Sequence, residues 1–120
     1  MLIFCPYCDK EHNVNVIKKD TSCIINNEKI DYIEQVYYCD NSNECFYDGL
    51  MDDENLLRAR DEYRKKHNLL TSLEIKQKRN KHNLSQNEFS LVLGFKENLI
   101  KNFESKQIQS IEEDNLIRSY

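Results

Sequence analysis

Leu84-Ser85-Gln86-Asn87-Glu88-Phe89-Ser90-Leu91-Val92-Leu93-Gly94-Phe95-Lys96-Glu97-Asn98-Leu99-Ile100-Lys101-Asn102-Phe103-Glu104 reads as two short helices joined by a tight turn. Ser85 is placed to cap the first helix, and Glu88 follows three residues later, the reciprocal pair of a capping box. Phe89, Val92 and Leu93 fall on one helical face. Gly94 stands where that helix must stop, because a left-handed residue is least strained as glycine. Phe95, Leu99, Ile100 and Phe103 then resume the helical spacing. The pattern is that of a helix-turn-helix, whose second helix can enter a DNA major groove.

The neighbouring sequence extends this helical block. Thr71 can cap a helix predicted over 72–82, with Ile75 as its clearest core residue. Ile111, Leu116 and Ile117 predict a last helix over 108–118. Ahead of the block, Asp52-Asp53-Glu54 opens a predicted helix over 52–67 that closes on Arg64-Lys65-Lys66-His67, acids first and bases last as the helix dipole favours. Leu56, Leu57, Ala59 and Tyr63 give that helix a partial apolar stripe. Charge divides along the same line. The net charge of −4 conceals −7 over residues 1–58, +5 over 59–106 and −2 over 107–120. A basic block that coincides with a helix-turn-helix suits DNA, and the acidic first half does not.

The first half has a different character. Cys5-Pro6-Tyr7-Cys8 forms a knuckle in which two thiolates can meet one zinc ion. Asp9-Lys10-Glu11-His12-Asn13 reads as a polar turn rather than the strand-to-helix junction of a redox motif. Val14–Ile17, Cys23–Ile25 and Lys29–Tyr38 are predicted strands, with Asn26-Asn27 as a hairpin turn. Neither face of the longest strand is purely apolar, so the small sheet needs a staple. Cys39 and Cys45 close that strand and complete a four-thiolate set with Cys5 and Cys8, although five intervening residues are wider than the usual knuckle. Cys23 is left as a small buried apolar residue, and His12 as a surface turn residue; either could replace a proposed ligand.

Composition narrows the classes. Hydrophobic residues are 39% and charged residues 32%, which allows only a modest core. No window approaches the roughly 18 apolar residues of a membrane span. The N-terminus lacks the features of a secretory signal, so a cytoplasmic protein without disulfides is expected. Nothing points to an enzyme. His12, His67 and His82 show no metalloprotease spacing, and two glycines make no phosphate loop. A four-thiolate zinc would have no open position for chemistry.

These pieces together resemble a known family. The N-terminal Cys-x-x-Cys, the hairpin, the strand ending in Tyr37-Tyr38-Cys39, and a helix carrying Asp52, Glu54-Asn55-Leu56 and Asp61-Glu62-Tyr63-Arg64 are similar to MqsA/YgiT-type zinc-finger antitoxins of bacterial toxin–antitoxin systems. Related N-terminal halves accompany Panacea (SocA-like) antitoxins. The second half, with Leu84-Ser85-Gln86, Gly94, Ile100, Phe103 and Glu104, resembles the Xre/Cro-type helix-turn-helix. The resemblance implies a zinc-stapled module that contacts a toxin and a module that dimerises and represses its own promoter. Carried over by position, it places Gln86 at the start of the positioning helix. It places Lys96, Glu97, Asn98, Lys101 and Asn102 on or beside the groove-facing side of the second helix. The chain departs from the family pattern at Cys39-x5-Cys45, at Asn102, Lys106, Lys78 and His82.

The sequence therefore predicts an α+β protein: a zinc-ribbon-like β module over 1–50, a linking helix over 51–70 and an Xre/Cro-type domain over 71–120. The expected function is a DNA-binding antitoxin and autorepressor. It would be homodimeric, with structural Zn2+ on Cys5, Cys8, Cys39 and Cys45, and with operator DNA and a protein toxin as partners. Two alternatives are a mobile-element regulator without a toxin and a protein-neutralising module whose helix-turn-helix is only structural. For DNA, Lys76, Lys81, Lys96, Lys101 and Lys106 would neutralise phosphate. Asn98 and Asn102 would read adenine edges.

Overall fold

Five strands precede five helices along the chain, which a computed structural model describes throughout, residues 1–120. The strands are β1 (Leu2–Cys5), β2 (Lys10–Asn13), β3 (Asn15–Ile25), β4 (Glu28–Cys39) and β5 (Glu44–Phe46). The helices are α1 (Gly49–Lys66), α2 (Ser72–Lys81), α3 (Gln86–Val92), α4 (Leu99–Ser105) and α5 (Ile111–Ser119). The protein is thus α+β, as the sequence predicts. It divides into two compact units, Met1–Ala59 and Arg60–Tyr120, with the boundary inside α1. No helix is long and apolar enough to cross a membrane.

The first unit holds two antiparallel sheets, β1-β2 and β3-β4-β5. Asn26 and Asn27 both have positive φ, 49° and 64°, the geometry a two-residue hairpin turn demands and Asn tolerates. They close a long ladder in which β3 runs unbroken, where the sequence predicted two short strands with a turn between. Lys18-Lys19-Asp20-Thr21-Ser22 is polar because β3 is an edge strand whose middle is mostly solvated, so polarity there marks exposure and not a turn. Along β4 the buried face changes sides. Ile30 and Val36 are buried on one face, and Tyr37 and Cys39 on the other. The second face packs a small core of Val14, Tyr37 and Met51, with Ile3 and Phe46 against it. Asn55 on α1 serves β4 as a substitute strand. Its Oδ1 accepts from the Gln35 amide and its Nδ2 donates to the Gln35 carbonyl, both at 2.8 Å. α1 itself starts earlier than predicted, because Asp48 caps it by accepting from the Met51 amide at 2.9 Å.

The second unit is built on Ile75, Phe89, Ile100, Phe103 and Ile117, all fully buried, with Leu70, Leu84, Leu93, Phe95 and Leu99 packed against them. Capping boxes start three of its helices: Thr71 with Glu74, Ser85 with Glu88, and Ser110 with Glu113. Not every apolar residue of the predicted helical pattern is core. Val92 is 52% exposed, and of the three that predict the last helix Ile111 is 68% and Leu116 47% exposed, because each short helix turns only part of its circumference to the core. The departures at Lys78 and His82 are put to use. Lys78 Nζ donates to the Arg118 carbonyl at 2.6 Å, and the His82 ring packs edge-on against Tyr120, which also meets Phe89.

The C-terminal part of α1, read from sequence as a link, belongs to this second unit through Arg64. Its guanidinium is fully buried. Nε donates to Gln109 Oε1 at 2.9 Å, Nη1 to Asp61 Oδ1 at 2.9 Å, and Nη2 to the Phe103 and Gln107 carbonyls at 2.6 Å each. Burial pushes its pKa down and Asp61 pulls it back up; an arginine so bonded stays charged. The Phe103 carbonyl lies in the last turn of α4, where a helix leaves carbonyls without internal partners, and Gln107 follows just past the helix. Asp61 in turn accepts from the Ser72 amide at 2.8 Å and hydroxyl at 2.6 Å, tying in the start of α2.

Candidate metal centre and helix-turn-helix face

Cys5, Cys8, His12 and Cys39 present ligand atoms that all lie within 4.8 Å of one another. Cys5 and Cys39 are fully buried, and Cys8 and His12 half-buried. Cys8 Sγ is 3.6 Å from Cys39 Sγ, and His12 Nε2 is 3.6 Å from Cys39 Sγ. Donors held 2.0–2.3 Å from one tetrahedral ion stand about 3.5–3.8 Å apart, so these separations fit such an ion. The donor chemistry fits as well. His12 Nδ1 lies 2.8 Å from its Asn13 carbonyl partner. A proton on Nδ1 donated there leaves the Nε2 lone pair facing the sulfurs, the usual arrangement behind a metal-bound histidine. The cluster could therefore hold a metal ion.

The fourth member of this cluster is His12 and not Cys45. In antiparallel pairing, residues directly opposite share a face, and neighbours alternate. Cys45 pairs with Tyr38, whereas Cys39 pairs with Glu44, so Cys45 and Cys39 point to opposite faces of their sheet. On the other sheet His12 pairs with Ile3, two residues from Cys5, and so shares the Cys5 face. The predicted polar turn over 9–13 is in fact mostly β2, and this is why His12 reads in sequence as a surface turn residue and only a spare donor. The turn is confined to residues 6–9, where Asp9 is left-handed at φ 55°. A hairpin drawn through Cys5-x-x-Cys8 would have exposed the parity. Cys23 pairs with Ile30, far along the long hairpin, and takes no part in the cluster.

The thiols are not equivalent. The Cys39 thiol is lowered to about 6, first by the Ser42 hydroxyl, which acts against burial, then by the Ser42 amide and the Cys8 and Cys5 thiols. Cys8 is raised, first by its contact with Cys39 and then by burial. His12 is raised, first by Cys5 and then by the Asn13 carbonyl. The Asn41 amide is 3.9 Å from Cys8 Sγ.

In the second unit α3 and α4 form the two arms of the predicted helix-turn-helix. Gly94 is left-handed at φ 76°, as expected. The arms are locked by Ser90, a fully buried residue whose Oγ accepts from the Ile100 amide at 3.0 Å. That amide lies in the first turn of α4 and has no partner within the helix. A second lock lies beneath. Arg79 forks onto Glu104, Nε to Oε2 at 2.9 Å and Nη2 to Oε1 at 3.0 Å, and also reaches the Leu84 carbonyl at 3.1 Å.

The six residues assigned to DNA divide into groups. Lys101 is exposed on α4, and Asn102 is half-buried on the same helix. Lys96, Glu97 and Asn98 are exposed but lie in the turn ahead of α4. Gln86 is bonded inward, its Nε2 donating to Glu104 Oε1 at 3.2 Å. Glu97 accepts from Asn87 Nδ2 at 3.1 Å, and Asn87 Oδ1 accepts from the Asn98 amide at 3.2 Å. Asn98 itself is left-handed, φ 68°, and its side chain makes no capping bond to α4. Its presence is therefore explained in part by backbone geometry. Ser90 and Asn87 are the residues sequence reasoning did not single out. A small polar residue in the apolar stripe of α3 was the only sign of the first. Among known proteins, no family profile, no curated sequence and no solved structure matches the chain.

Proposed function

We propose that the protein is a DNA-binding antitoxin and transcriptional autorepressor, in which Arg60–Tyr120 binds operator DNA and the metal-stapled Met1–Ala59 unit binds a toxin. The observation that carries the DNA half is the α3–α4 pair. Both helices are short, locked together by Ser90 and Glu104, and they leave Lys96 and Lys101 exposed at the tip of the second arm. Lys76, Lys81 and Lys106 are exposed on the same unit. The toxin half rests on the family resemblance of the N-terminal module, and the same resemblance supports a cytoplasmic homodimer. Zinc is the proposed ion, since three thiolates and an imidazole suit a closed structural zinc site.

An electrophoretic shift with the DNA upstream of the gene tests the reading. Specific retardation is expected, with binding that weakens as salt rises, by a slope of about −0.9 for each phosphate neutralised. Asn98→Gly and Asn102→Ala test base reading, since glycine keeps the left-handed backbone that alanine would strain. Each lost bidentate contact would remove roughly 1–3 kcal/mol of discrimination. Equal binding to all sequences by the wild-type chain would refute operator recognition. The inward bonding of Gln86 favours one second reading, a protein-interaction module whose helix-turn-helix is structural. Toxin capture without any DNA shift would establish it.

A further inference from the structure

The metal cluster contains the same turn built twice. After Cys5 the Asp9 amide donates to the Cys5 carbonyl at 2.8 Å, and after Cys39 the Asn43 amide donates to the Cys39 carbonyl at 2.8 Å. Both donor residues are left-handed, φ 55° at Asp9 and 57° at Asn43. Cys5-Pro6-Tyr7-Cys8-Asp9 therefore matches Cys39-Asp40-Asn41-Ser42-Asn43 residue for residue, and Ser42 stands where the first turn has Cys8. Cys8 is a member of the cluster. Ser42 Oγ is buried beside Cys39, itself a member of the cluster.

We infer that Ser42 occupies the fourth ligand position of a two-knuckle metal centre, and that His12, reaching in from β2, supplies the donor which the second knuckle lacks. The inference rests on the metal-binding reading of the cluster. Ser42 then decides the character of the centre. With a serine there, a dication is held by three thiolates and a neutral imidazole, for a net charge of −1; a thiol there would make it −2 and softer. The fourth donor can come from either place, because the backbone that presents Ser42 is the backbone that presents Cys8.

Cobalt(II) titration of the full chain, read by absorption, tests this. Wild type is expected to bind one cobalt with the spectrum of three sulfurs and one nitrogen. His12→Ala should weaken binding by at least about tenfold, since even outer partners of a ligand are worth 10–100-fold. Adding Ser42→Cys to His12→Ala should restore wild-type affinity with a four-thiolate spectrum, and Cys45→Ser in the same background should change nothing. Ser42→Cys alone, which keeps His12, should shift the spectrum toward four thiolates and covers the case in which His12→Ala does not fold. If wild type takes up neither cobalt nor zinc, the metal reading falls and the inference with it. If wild type binds but neither Ser42→Cys variant changes its sulfur count, the inference alone is overturned. Wild-type affinity and spectrum in His12→Ala would overturn it too.

Discussion

Ser90 shows how much a single small side chain can decide. Its hydroxyl is the acceptor for the Ile100 amide, and both residues are fully buried. Ser90→Ala leaves that amide without a partner and should destabilise the second unit by about 1–3 kcal/mol. Urea unfolding followed by far-UV circular dichroism measures it, and an unchanged midpoint would remove Ser90 from its role as the lock between α3 and α4. Arg64 makes a larger case. Arg64→Met strips four hydrogen bonds and leaves Asp61, Gln109 and two carbonyls short of a donor. A loss of about 3–5 kcal/mol is expected, the range for breaking a buried charged pair from one side. Arg64→Lys should recover only a fraction, because an ammonium cannot span a fork of four acceptors.

At the scale of elements, α5 is held by a carboxylate with three partners. Asp114 accepts from the Leu70 amide at 2.9 Å, from Gln109 Nε2 at 3.1 Å and from Arg118 Nε at 2.6 Å. Burial pushes its pKa up, but Arg118 first and then the Leu70 amide and Gln109 outweigh burial, so the carboxyl lies below its usual value of 3.8. The sign follows from linkage. A depressed folded-state pKa adds stability that is fully present above 3.8 and is lost as pH falls through the lower folded value. The second unit should therefore lose stability on acidification below about pH 4, and Asp114→Asn should flatten that dependence while lowering stability at pH 7. Urea midpoints from pH 7 to pH 2 report both effects; a parallel acid limb in the variant would assign the loss to other carboxylates. The strands teach a different lesson. The β1-β2 hairpin was hidden in sequence because Lys10-Glu11-His12-Asn13 carries no apolar alternation, and only its pairing with Leu2–Cys5 makes it a strand.

At the scale of the molecule, the two units differ in how much apolar core they hold. The second has five fully buried side chains in one cluster. The first has Val14, Tyr37 and Met51 in one small cluster with two partly buried neighbours, and Ile30, Val36 and Ala59 buried outside it, beside the four-residue Cys/His group. A core so small needs a staple, and a structural zinc can supply on the order of 10–16 kcal/mol of folding free energy. Adding a strong chelator to zinc-loaded protein should therefore disorder the first unit and abolish the near-UV signal of its tyrosines. The helical far-UV signal of the second unit should largely persist. Hydrogen exchange resolved by segment checks this, and protection of β4 that survives metal removal would show that the apolar core alone suffices.

Sequence by itself determined the helical unit. Thr71, Ser85 with Glu88, Gly94, and the spacing of Phe89, Ile100 and Phe103 act within a few residues of one another, so local rules reach them. It also determined three of the four members of the Cys/His cluster, because Cys5, Cys8 and Cys39 are chemically conspicuous, and the Asn26-Asn27 turn. Only the tertiary structure decided the rest. That His12 and not Cys45 completes the cluster depends on strand parity in two separate sheets, which a one-residue shift of register would reverse. That Gln86 turns inward to Glu104 and Arg64 reaches across to the end of α4 depends on partners 18 and 39 residues away. Such contacts carry no local signature, since any polar side chain in those places reads as solvated until the chain has folded around it. The Leu84–Glu104 stretch fixes the helices by its own chemistry; which of its polar groups remain outward for a partner was settled by what packed beneath them.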